Sequence, residues 1–127
     1  MADIRLNFKE MCARFDATPR TLRYYEYIEL LAPEKEGRAR FYGPREVARM
    51  TLILRGRRFG FSLDEIRQWL LISRQKGTRS QTEALLQMAD RQLVELERQL
   101  VDLRTAISDL QALRGTAVEE IRKLDEG

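Results

Sequence analysis

Three observations predict a mainly α fold in two parts. Phe8 to Phe15 reads as a short amphipathic helix, and about three residues separate it from a second helix opening at Pro19, the spacing of a helix-turn-helix. A proline-closed, glycine-turned segment with alternating arginines follows, which suits a small β-hairpin wing. The C-terminal part carries apolar residues at steps of three and four over more than three heptads, the period of a coiled coil. The expected architecture is a winged helix-turn-helix unit over residues 1–75, then a long dimerisation helix over residues 76–127.

The chain opens with an extended Ile4 to Leu6, and Asn7 is placed to cap the first helix. Phe8, Met11, Cys12 and Phe15 share one face of that helix, so Cys12 reads as core. After Asp16 and Ala17, Thr18 can cap the amides of the next first turn. Pro19 sits where its missing N–H costs nothing and its fixed φ already suits a helix. Leu22 and Tyr25 point inward, whereas Arg20, Thr21, Arg23 and Tyr24 project from the other face. Those outward residue types suit DNA: arginine offers a fork to guanine or phosphate, threonine a hydroxyl and methyl, tyrosine a hydroxyl on a stiff ring. With Thr18 at the helix mouth, they form the candidate contact set of this helix.

Beyond Tyr27 an apolar segment, Ile28, Leu30 and Leu31, ends at Pro33. Gly37 can turn a hairpin between a strand near Leu31 to Lys35 and one at Arg38 to Tyr42, which sends Arg38 and Arg40 off one face as a basic wing. Gly43 and Pro44 begin a third helix with Glu46 placed to complete its cap, a buried stripe of Val47, Met50, Ile53 and Leu54, and an exit at Gly60. Arg57 and Arg58 put a second basic cluster at its end. Ser62 and Glu65 form a capping box, with Phe61 and Ile66 as a hydrophobic staple, for a helix from Leu63 to about Ser73. Trp69 reads as a core or interdomain anchor. Residues 74–79, polar around Gly77, read as a linker.

From about Ser80 the seam is Leu86, Ala89, Leu93, Leu96, Leu100, Leu103, Ile107 and Leu110. A continuous helix from Ser80 to Arg114 would be about 52 Å long. Arg114 suits the seam poorly, Gly115 costs a helix about 1 kcal/mol, and Thr116 with Glu119 resembles a fresh capping box. A break near Gly115 and a short terminal helix are therefore expected. A lone helix leaves its leucines in water at roughly 1.5–3 kcal/mol each, so a homodimer is expected, with Leu86, Leu93, Leu96, Leu100, Leu103, Ile107 and Leu110 as the dimerisation residues. Mixed e and g positions leave parallel and antiparallel pairing open.

Charge divides the same way. Residues 1–75 carry a net +5 and residues 76–127 a net −2, so the basic half is the candidate nucleic-acid face. One cysteine and no histidine exclude, within a single chain, disulfide frameworks, Cys/His zinc sites and His-based acid–base catalysis. No apolar run approaches the roughly 20 residues of a membrane span, so a cytoplasmic protein is expected. An enzyme is not expected, because no acid, base and nucleophile converge and no glycine-rich phosphate loop is present. No cofactor and no metal site is expected.

The runs F-K-E-M-C-A-R-F-D-A-T-P-R-T-L-R-Y-Y-E-Y-I-E-L-L-A-P, R-A-R-F-Y-G-P-R-E-V-A-R-M and R-R-F-G-F-S-L-D-E-I resemble the DNA-binding domain of the MerR family of bacterial transcription regulators. The resemblance spans Leu6 to about Leu71. It implies a winged helix-turn-helix, a homodimer held by an antiparallel coiled coil, and binding to double-stranded promoter DNA with an overlong spacer. Bending and untwisting that spacer would serve RNA polymerase indirectly, through the promoter. By position, Arg20, Thr21, Arg23 and Tyr24 would work in the major groove, Arg40 and Tyr42 in the first wing, and Arg57 and Arg58 in the second. Asp16 and Glu29 stand where the family usually has glycine. Metal-sensing cysteines after the dimerisation helix are absent, and the chain resembles a short member without a separate effector-binding domain. The other reading is a coiled-coil adaptor or architectural protein whose winged domain binds another protein; steeply salt-dependent duplex binding would separate the two.

Overall fold

Asn7 opens the first helix with a reciprocal cap. In the computed structural model, which describes residues 4–127, its side chain accepts from the Glu10 N–H at 2.8 Å while Glu10 Oε1 accepts from the Asn7 N–H at 2.9 Å. Helix α1 (Phe8–Phe15) buries Met11 completely and ends on Asp16, which takes a left-handed φ of 51°. Helix α2 (Pro19–Tyr27) starts on the Thr18 cap and buries Leu22 and Tyr25, as the spacing predicts. Its exit turns through Glu29, at φ 64°, and drops Leu30 and Leu31 into the core.

Three short strands form an antiparallel sheet in the order β1 (Leu6–Asn7), β3 (Ala39–Tyr42), β2 (Glu34–Glu36). The extended N-terminal segment thus becomes a third strand, pairing Leu6 with Tyr42. The hairpin is shorter than expected. Pro33 has no amide to donate and the Ala32 N–H goes to Glu46, so β2 begins only at Glu34. Arg38 lies in the turn beside Gly37 rather than in the strand.

Helix α3 (Pro44–Phe59) buries Val47, Met50 and Ile53, while Leu54 is half-buried. Glu46 does not cap it. Its carboxylate is buried and accepts from the Ala32 N–H at 2.9 Å, satisfying an amide that no strand uses. Gly56 is needed for packing: a Cβ there would lie 2.9 Å from Ile66 Cδ1. The Ser62–Glu65 capping box forms, with both hydrogen bonds at 3.1 Å, and Phe61 and Ile66 are buried beside it.

Helix α4 (Leu63–Glu126) departs from helical geometry at one residue, Gly77, with φ 87° and ψ −177°. The expected linker over residues 74–79 is therefore a kink, with helix on both sides. Trp69, half-buried, donates its indole N–H across this kink to the Gln81 carbonyl at 2.9 Å. The chain divides into two compact units, Met1–Thr82 and Glu83–Gly127. In the second unit the expected break at Gly115 is absent. Thr116 donates to the Ala112 carbonyl instead of capping, and Glu119 pairs with Arg122. One glycine costs a helix about 1 kcal/mol, less than the loss of several consecutive hydrogen bonds to a break. The heptad leucines and Ile107 are all exposed, by 38% at Leu96 to 65% at Leu110, so the seam lies open along this helix.

The two glycines of α4 should respond oppositely to alanine. Gly115→Ala, mid-helix and in open space, should raise stability by up to ~1 kcal/mol. Gly77→Ala forces a side chain into a backbone region that is nearly glycine-only and should lower stability by about 1–3 kcal/mol. Melts followed by circular dichroism would read both signs.

Candidate nucleic-acid interface

Thr18 anchors the candidate surface. Its Oγ1 accepts from the Thr21 N–H at 3.1 Å, and its hydroxyl donates to Thr21 Oγ1 at 3.0 Å. Thr21 therefore keeps its own hydroxyl proton for an outside acceptor. Thr18 acts through the cap, by fixing where α2 begins.

Arg20, Arg23 and Tyr24 are exposed on α2, and with Thr21 they line a shallow hollow of about 620 Å³. Arg57 reaches the same hollow from the end of α3, its Nη1–H donating to the Phe61 carbonyl at 3.0 Å. Two segments more than thirty residues apart thus present one basic, aromatic surface. Arg58 is exposed next to Arg57 but does not line the hollow. Both arginines occupy the last turn of α3, where cations favour the helix dipole.

The wing is tied to α2 by one carboxylate. Glu26, its side chain 12% exposed, forms an ion pair with Arg40, Nε to Oε1 at 3.1 Å, and accepts from the Tyr42 hydroxyl at 2.5 Å. The Arg23 and Arg40 guanidinium groups also lie over the Phe8 ring, at 5.3 and 5.6 Å from its centroid. Arg5, paired with Glu36 at 2.6 Å, sits 3.8 Å over Phe41 and joins β1 to the hairpin.

Tyr42 is the correction to the expected contact set. It is fully buried, and its hydroxyl is spent on Glu26, so it supports the wing from inside. Burial first, then the hydrogen bond and charge of Glu26, pushes its phenol far above the ordinary range. Arg40 remains one-third exposed but is oriented by the ion pair, while Arg38 is exposed in the turn. Tyr27 was missed. It is 83% exposed and lines the same hollow, and a count of three and four from Arg20 through Tyr24 would have placed it there.

Cys12 is half-buried, and its thiol is raised by that burial. Among the described residues no group of three or more His, Cys, Asp or Glu is placed to hold a metal ion.

Two family models match the chain: one described as MerR HTH family regulatory protein over residues 6–71, and one described as MerR, DNA binding over residues 47–113. The chain is 33% identical over 97 residues to the HTH-type transcriptional regulator HmrR of Rhizobium leguminosarum bv. viciae, covering 72% of this chain and 75% of that protein. Of other curated regulators it spans about half the length, 52% and 46%. A transcriptional regulator of the MerR family from Bacillus cereus superposes with a TM-score of 0.70 at 29% identity, covering 83% of this chain and 76% of that one. HiNmlR, a MerR family regulator lacking the sensor domain and bound to promoter DNA, superposes with a TM-score of 0.67 at 17% identity, covering 83% and 80%. This last likeness is one of fold.

The Tyr42–Glu26 bond carries a stability signature. Tyr42→Phe should cost about 1–3 kcal/mol at neutral pH, since it removes a buried hydrogen bond to a carboxylate. The folded phenol titrates above its unfolded value of 10.0, so its contribution is complete below pH 10. Above that the unfolded state loses the proton first, and stability falls by about 1.4 kcal/mol per pH unit. Urea denaturation at pH 8, 10 and 11 should show this alkaline fall in the parent and a shallower one in the phenylalanine variant.

Proposed function

The chain belongs to the MerR family of helix-turn-helix transcriptional regulators, DNA-binding proteins, and from that premise we propose that it acts as a homodimer on promoter DNA, with α2 reading the major groove. The observation that carries this reading is the convergence of Arg20, Thr21, Arg23 and Tyr24 with Arg57 on one open face, on a helix whose start is locked by its cap.

The arginines divide by what already holds them. Arg23 leans on Phe8, Arg40 is paired with Glu26 and Arg57 donates to Phe61, so these three are pre-aimed and suit phosphates, which position a protein without reading sequence. Arg20 has no ion-pair partner among the described residues, and its fork is available for a guanine edge. Thr21 and Tyr24 supply hydroxyls beside it. Arg38 and Arg40 on the hairpin form one wing, and Arg57 with Arg58 the other.

The seam supports pairing of two such units. Leu86, Leu93, Leu96, Leu100, Leu103, Ile107 and Leu110 form a continuous apolar stripe on a helix of the second unit, and a second copy offers the same stripe in return. Two winged units held at fixed separation engage two half-sites about one or more helical turns apart. Bending and untwisting an overlong promoter spacer between them costs on the order of 1–6 kcal/mol, which the phosphate contacts of both units offset. RNA polymerase then feels the protein through the altered promoter. No helix among the described residues is long and apolar enough to cross a membrane.

If Arg20 reads a base, Arg20→Ala should cost about 1–3 kcal/mol on the specific site and clearly less on random duplex. Equal losses on both, in fluorescence anisotropy titrations, would reduce it to a phosphate contact. Leu100→Asp should turn the dimer to monomer, because a carboxylate at the seam must be desolvated or protonated. Full-site affinity should then fall roughly 10²- to 10⁴-fold with the loss of intramolecular second binding. Light scattering and a titration on the same sample check this; a monomer that binds as tightly as the parent would remove the helix from that role.

A further inference from the structure

A second hollow, of about 540 Å³, lies at the other end of α3 from Arg57. Lys35 from β2, Arg45 and Arg49 from α3 and Arg74 from α4 line it. Arg45 and Arg57 are twelve residues apart on one helix, roughly 18 Å along its axis, so this hollow is distinct from the one beside α2 and Arg57, although its Lys35 lies on the hairpin opposite Arg40. All of it lies within the first compact unit.

The charges around it are unevenly satisfied. Glu26 is engaged by Arg40 and Tyr42, and Glu46 by the Ala32 amide. Arg49 donates only a long 3.5 Å bond to the Leu30 carbonyl, while Lys35, Arg45 and Arg74 have no ion-pair partner among the described residues. Arg45 and Arg49 are one turn apart on the same face of α3, where like charges repel. Burial lowers the Arg49 guanidinium from its ordinary range, and the charges of Arg45 and Arg74 add to that against the pull of Glu46. Glu29 lines the hollow too, its backbone held at a positive φ of 64°, and its carboxylate is the one acidic group of the lining that these bonds leave to offset the four cations.

We propose that this hollow binds a small free polyanion, a molecule carrying two or more carboxylate or phosphate groups, through Arg45, Arg49, Arg74 and Lys35. The volume falls in the range of roughly 300–1,000 Å³ usual for small-ligand sites. Guanidinium forks from two elements match such groups by paired hydrogen bonds, and the bound charge relieves the repulsion among the arginines. The ligand would join the wing strand, α3 and the first segment of α4. DNA phosphate offers the same chemistry, and the test separates the two sources.

Isothermal titration of the full chain with sodium citrate and, separately, sodium pyrophosphate, at an ionic strength fixed with chloride, should show saturable binding near one anion per chain. The double variant Arg45→Gln/Arg74→Gln should weaken it at least tenfold, whereas Arg55→Gln, the loss of one positive charge elsewhere on α3, should leave it unchanged. Heats no different from those of the chloride control, or equal losses in both variants, overturn the proposal. Should the double variant lose its helical circular dichroism, Lys35→Gln on the exposed strand carries the same test, with a several-fold loss expected and no loss counting against the site. Titration of the double variant onto a random duplex distinguishes the source. Unchanged affinity and salt slope support a free anion, while weaker binding with the slope reduced by one to two units assigns the arginines to DNA phosphates and overturns it.

Discussion

One carboxylate holds α2 to the hairpin. Glu26 leaves α2 to engage two residues of β3, pairing with the Arg40 guanidinium and accepting from the Tyr42 hydroxyl. A carboxylate this far from water is tolerated because both of its oxygens are engaged, one of them by a cation. Phe8 sits beneath the same junction and carries both Arg23 and Arg40 over its ring. The consequence is geometric. Helix α2 and the hairpin are held as one piece, so the spacing between their arginines is set by the fold itself.

The backbone at either end of α2 is held as firmly as its side chains. Asp16 closes α1 and Glu29 follows α2, each in the left-handed region where glycine fits without strain. Aspartate adopts that geometry readily; glutamate does so at greater cost. At the exit, amides of Glu29, Leu30 and Leu31 return to carbonyls of Glu26 and Tyr25, so the strained turn is fully hydrogen-bonded. It also places Leu30 and Leu31 in the core, with 1% and 2% of their surface exposed, and that burial is what maintains the strain.

The second unit is stabilised by different means. Its helix has no core of its own, and its exposed side carries local ion pairs: Arg98 to Glu95 and Asp102, Arg122 to Glu119 and Glu126. Hydrogen bonds from Arg98 hold the Glu95 carboxyl down to about 2. Pairs like these support a helix by a few tenths of a kcal/mol and leave its apolar stripe untouched. The stripe keeps the regular heptad period along the helix, the feature on which the proposed pairing rests.

By itself the sequence determined most of what depends on residues within four positions of one another. The Asn7 and Thr18 caps, the Ser62–Glu65 box, the inward Leu22 and Tyr25 and the heptad stripe were all legible, because caps and helix faces are set by short-range spacing. Outward residues such as Arg20 and Tyr24 could be named for the same reason. The tertiary structure alone decided which polar groups find one another across the fold. Glu46 looked like a cap but serves the Ala32 amide fourteen residues away, and Tyr42 looked like a wing contact but serves Glu26 sixteen residues away. Gly56 gained its meaning from Ile66, and the N-terminal strand from β3. Gly115 was misjudged by its intrinsic cost, which the cooperative hydrogen bonding of the surrounding helix outweighs. A tyrosine or glutamate has the same composition on a surface as in a core, and only the neighbours brought to it by folding decide whether its polar end meets water, DNA or another side chain.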